Sequence, residues 1–132
     1  MWHDWYAGTV GTFGGLAEQA PGVGYEGHMY VVATPWLANG WTVLGEVGKF
    51  VPLSSKRFKR VSFAEGGAAG AGDDGPRVEV EGVAGEVIEV CAVCRGKNGP
   101  GRGAQAVALD KVCLKASFTA GATTQTLAFS RV

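Results

Sequence analysis

Residues 77–93 read R-V-E-V-E-G-V-A-G-E-V-I-E-V-C-A-V, and this stretch decides the fold class. Val78 and Val80 alternate with Glu79 and Glu81, the two-residue period of a strand with one buried face. Gly82-Val83-Ala84-Gly85 interrupts the alternation, and Glu86 to Val93 resumes it with more β-branched residues. Two such runs separated by a short glycine-bounded loop predict a β-hairpin.

The rest of the chain repeats this vocabulary. Glycine is heavily used, with 22 of 132 residues, and glycine supplies turns while weakening helix interiors. No long window carries a 3.6-residue apolar period, and the best helical candidate, residues 16–20, is cut short by Pro21-Gly22. Strands are expected over 1–15, where Trp2, Asp4 and Tyr6 share one face and His3, Trp5 and Ala7 the other. Further strands are expected over 28–34, 41–44, 49–53, 57–63, 104–109, 112–118 and 124–132. Residues 65–76 and 95–103 read as glycine-rich loops. About nine short strands with turn signals every 8 to 12 residues predict an all-β fold. The expected architecture is a single domain over 1–132, an antiparallel, jelly-roll-like β-sandwich with glycine-rich loops.

Charge excludes some classes of partner. Twelve basic and twelve acidic residues cancel, which argues against generic nucleic-acid binding. The signs are segregated, with Lys49, Lys56, Arg57, Lys59 and Arg60 preceding Glu65, Asp73, Asp74, Glu79, Glu81, Glu86 and Glu89. The basic run alternates with apolar residues, as in an edge strand defended against aggregation. No stretch has the length and apolarity of a membrane helix, and the start lacks the layout of a signal peptide. No membrane partner is expected. Three cysteines do not make a disulfide framework, so a reducing compartment, the cytoplasm by default, is the expectation.

Chemistry-bearing motifs are sparse. Cys91-Ala92-Val93-Cys94 has C-x-x-C spacing, but on a strand its two thiols point to opposite faces. Cys113 with His3 or His28 supplies no second close pair for zinc. The cysteines are therefore expected to be buried thiols, with no metal and no cofactor. The loop at 95–103 carries three cations but lacks the phosphate-binding pattern of P-loops. His3 and His28 stand beside no nucleophile elbow or metalloprotease helix, and a carboxylate pair of Asp4 with Glu26 or Glu46 is generic. No catalytic residue is assigned. The strongest binding feature is aromatic: Trp36, Trp41, Tyr25, Trp5 and Trp2 are the candidate ligand-binding residues, with sugar faces as the matching ligand.

Four segments in order resemble a known family. They are Y-V-V-A-T-P (30–35), K-F-V-P-L (49–53), R-V-E-V-E-G-V-A-G-E (77–86) and V-A-L-D-K-V-C-L-K-A-S-F (107–118). Together they are similar to the C-terminal β-sandwich of the raffinose synthase and seed imbibition family, relatives of α-galactosidases. Ser54 to Phe58 departs from that family's asparagine- and glycine-rich stretch, and two glycine-rich loops are additional. The family's catalytic carboxylates belong to its barrel domain, so the resemblance assigns none here. It implies a non-catalytic accessory domain that packs on a catalytic domain or binds carbohydrate through exposed aromatics. Two other classes fit the residues: a structural module docking protein partners through its aromatic N-terminus and edge strands, and a small cysteine-based metal-binding protein.

Overall fold

The computed structural model describes residues 1–4, 10–11, 31–37, 40–63, 75–96 and 109–131. They form β1 (Trp2–Asp4), β2 (Val10–Gly11), β3 (Val31–Ala33), β4 (Trp41–Gly45), β5 (Phe58–Ser62), β6 (Arg77–Glu81), β7 (Val87–Arg95), β8 (Leu109–Ser117) and β9 (Thr124–Ala128). Eight of these have three residues or more, and β2 has two. All pairings are antiparallel, and the described residues contain no α-helix.

The strands make three sheets: an N-terminal sheet ordered β2-β1-β3, a central sheet β4-β7-β8, and an outer sheet β5-β6-β9. The central and outer sheets form the sandwich. Val43, Ile88, Val90, Ala92, Cys94 and Ala116 of the central sheet meet Val78, Val80 and Leu127 of the outer one. Trp41, Phe118 and Phe129 complete this core, with the Trp41 and Phe129 rings 6.5 Å apart and tilted. The opposite face of the central sheet carries Leu44, Cys91 and Val93, which pack with Met1 and Val10 beside the N-terminal sheet. That second cover explains β7. Its first residues alternate in burial, but from Val90 to Cys94 both faces are buried, as expected of a strand between two layers.

The stretch at 77–93 does not form the expected hairpin. β6 pairs with β5 and β9, whereas β7 pairs with β4 and β8. Residues 82–86 carry the chain from one sheet to the other as an arch. Its backbone groups bond to a neighbouring segment: Gly82 N–H donates to Thr123 O (2.8 Å), Gly85 N–H to Phe118 O (2.7 Å), and Phe118 N–H to Glu86 O (2.9 Å). Gly82 lies against the Phe118 ring, where a Cβ would overlap it. The two valine runs face each other across the core instead of lying side by side.

Other boundaries also move. Residues 49–53 are turns and bends, not a strand. The β4–β7 register shifts between Val43 and Gly45, and Gly45 has a φ of 82° that suits glycine. The chain then folds back so that Glu46 N–H donates to Pro52 O at 2.9 Å. Asp110-Lys111 does not break a strand: both lie within β8, opposite Cys94 and Val93. Of the expected strand over 1–15, β1 and β2 are described and pair with each other, and residues 5–9 and 12–15 lie outside the described residues. The basic strand β5 is at an edge, as its charge pattern requires. The expectations for residues 16–20, 104–108 and most of the two glycine-rich loops fall outside the described residues.

Candidate functional site

A solvent-open cleft of about 730 Å³ lies between the turn after β4 and the arch after β6. Arg57 organises it. It stands one residue before β5, whose pairing with β6 brings it under the arch. Its Nη1 and Nη2 donate to Glu86 Oε2 and Oε1 at 2.7 and 2.5 Å, a bidentate fork. Nη1 also donates to the Glu81 carbonyl (2.8 Å), and Nε lies 3.3 Å from Glu46 Oε2. Lys49 Nζ bridges to Glu46 Oε1 at 2.8 Å, and Lys59 Nζ to Glu81 Oε2 at 2.7 Å. Val83 N–H adds a hydrogen bond to Glu86. One guanidinium thus ties the β4–β5 connection to both ends of the arch.

The electrostatics describe a fastener. The hydrogen bonds from Arg57 and then from Val83 N–H hold the Glu86 carboxyl down to about 2 from 4.5. The same contact with Glu86 raises the Arg57 pKa further above its ordinary value. Glu46 is engaged by two cations, Lys49 and Arg57. Two exposed valines stand among the charged and polar lining of the cleft. Phe50, Val51 and Val83 are 60%, 65% and 69% exposed, Leu53 is also exposed, and Val51 and Val83 both line the cleft.

The aromatic candidates do not assemble into a platform among the described residues. Trp41 is fully buried at the heart of the core and presents no face to a sugar. This corrects the expectation. It begins β4, both faces of which are covered. Trp36 is half-buried, packs beside the second cluster, and has the Arg95 guanidinium 4.5 Å over its ring. Trp2 contributes backbone to β1, and its side chain is outside the described set, as are Trp5 and Tyr25. His3 is buried, and burial first, then the positive charge of Lys111, lowers its pKa.

The cysteines also differ from expectation. Cys91 and Cys113, directly opposite on β7 and β8, form a disulfide. Only Cys94 fits the expected buried thiol, and it lies in the sandwich core while Cys91 lies in the second cluster. The three-residue spacing separates them as strand geometry predicts. Donor atoms of Glu89, Cys91 and Cys113 lie within 4.8 Å of one another. Sequence reasoning missed both the disulfide and the Arg57 cluster. The segregation of basic residues before acidic ones was the signal for the latter. No protein-family model, curated protein or solved structure matches the chain.

Proposed function

We propose that this chain is a non-catalytic β-sandwich module that works by packing against a protein surface, specifically the catalytic barrel of a carbohydrate-active enzyme. The observation that carries this reading is the pair of exposed valines, Val51 and Val83, lining a cleft locked by ion pairs, with Phe50 and Leu53 exposed on either side of the Val51-Pro52 pair in the same loop. Single exposed apolar residues are ordinary, whereas a cluster on a fixed frame matches a docking surface. The carboxylates in the cleft are paired with Arg57, Lys49 and Lys59, which supports reading the cleft as a structural frame. The carbohydrate class comes from the four-segment resemblance. Packing is favoured over direct glycan binding because Trp41 is enclosed and Trp36 is covered by Arg95.

The test is a calorimetric titration of this chain into the barrel domain of a raffinose-synthase-family enzyme stripped of its own C-terminal sandwich. Saturable binding that disappears in a Val51→Asp/Val83→Asp variant supports the reading. Absence of heat with the parent chain refutes it, and retention on a galactosyl-sugar affinity gel would move the function to glycan binding. A second reading, an assembly module for other proteins, is favoured by β8, a nine-residue strand at the edge of the central sheet.

A further inference from the structure

We propose that the Cys91–Cys113 pair is a redox-gated metal site: once the disulfide is reduced, both sulfurs and a Glu89 carboxylate oxygen bind a thiophilic divalent ion, for which zinc is the best fit. The three donors come from adjacent ladder positions. Cys91 and Cys113 are directly opposed, with Cα atoms 4.1 Å apart. Glu89 is two residues before Cys91 on β7, so it projects from the same face. All three donor atoms lie within 4.8 Å of one another. Zinc bonds of about 2.0–2.3 Å require donors about 3.5–4 Å apart, a separation that falls inside the 4.8 Å spread of these three atoms.

The surroundings fit this chemistry. Lys111 and Lys115 flank Cys113 two residues away on either side, and Lys115 is directly opposite Glu89. Two ammonium groups on the same strand face offset the charge of two thiolates and a carboxylate around a dication. Cys91 is fully buried while Glu89 is exposed, so the site opens outward and leaves a fourth position for water. Cys94 is excluded because it belongs to the core on the other face of β7. The gate balances with a dithiol reductant. The S–S bond takes two electrons and two protons from the dithiol, which becomes a disulfide. Each resulting thiol then releases its proton to solvent as the metal binds.

The experiment uses the whole chain, reduced with a phosphine that is then removed under inert gas, and titrated with cobalt(II) as a spectroscopic stand-in for zinc. Far-ultraviolet circular dichroism is recorded on the same samples. The expected result is a thiolate-to-cobalt charge-transfer band saturating at one ion per chain, reversed by zinc, with the strand signal retained. The oxidised chain gives no band. Cys94→Ser keeps the band, Cys113→Ser abolishes it, and Glu89→Gln weakens binding by about tenfold or more, since even outer-shell changes act on that scale. Lack of a band in the reduced chain, folded or not, overturns the proposal. So does a band seen only after the strand signal is lost, one removed by Cys94→Ser, or one indifferent to Glu89→Gln.

Discussion

Replacing Glu86 by glutamine removes one charge from the cleft while keeping the shape of the side chain. A carboxyl held at about 2 in the folded chain, against 4.5 ordinarily, corresponds to about 3 kcal/mol of preference for the folded state when charged. The Glu86 side chain is 26% exposed, so solvent screening reduces this to about 1–2 kcal/mol. Because the folded-state pKa is depressed, this stability is fully present above 4.5 and drains away as pH falls towards about 2. Urea unfolding of parent and Glu86→Gln chains, followed at a series of pH values, reads this directly. The parent is expected to be more stable by about 1–2 kcal/mol at neutral pH, with the gap closing between 4.5 and about 2, where the protonated acid resembles the amide. A gap that stays constant across that window would show that the fork to Arg57 carries no charge-dependent stability.

Four other outcomes follow from the packing and the cross-link. Trp41→Ala empties the core beside Phe129 and is expected to cost about 3–5 kcal/mol in urea unfolding. Trp36→Ala removes a half-buried ring and one cation–π contact and should cost less, about 1–2 kcal/mol, in the same assay. Gly82→Ala forces a methyl against the Phe118 ring and should lose about 1–3 kcal/mol, part of it recovered by adding Phe118→Leu. Converting Cys91 and Cys113 together to alanine opens a link between residues 22 apart in sequence, and the unfolding free energy should fall by about 3 kcal/mol.

The fold class was legible because valine alternation and glycine punctuation are local properties. The sites were not, because each depends on which strands are neighbours. The Cys91–Cys113 bond exists only in the β7–β8 register, and the reading of 110–111 as a break hid that register. On β8 those two residues are simply outward positions, where a charge suits an edge strand. Trp41 was a ligand candidate as one of the aromatic residues, yet the strand it opens is covered on both faces. Arg57 was read as one charge in a basic run. Its importance comes from standing under the arch, a relation that no spacing within that run encodes.

The sequence did contain an argument for an arch over a hairpin at residues 77–93. With 82–85 as a hairpin loop, Glu81 would sit opposite Glu86, Val78 opposite Glu89, and Glu79 opposite Ile88. Directly opposed residues share a face, so that register sets like charges together and mixes carboxylates with the core valines on both faces. An arch removes the conflict. Val78 and Val80 then point across the core at Ile88 and Val90, and Glu81 and Glu86 become free to take cations. An arch, unlike a hairpin, has no ladder of its own, so its geometry must be fixed from outside. Phe118 and Thr123 accept or supply its backbone bonds, and Arg57 holds its ends. Val83 projects from that fastened turn and Val51 from the loop on the other side of the cleft. A docking surface gains affinity when its apolar groups are already in place before binding, because less freedom is lost on association. On the proposed docking role, the ion cluster and the exposed valines would be parts of one device, in which charge fixes the frame and Val51 and Val83 supply the apolar contact.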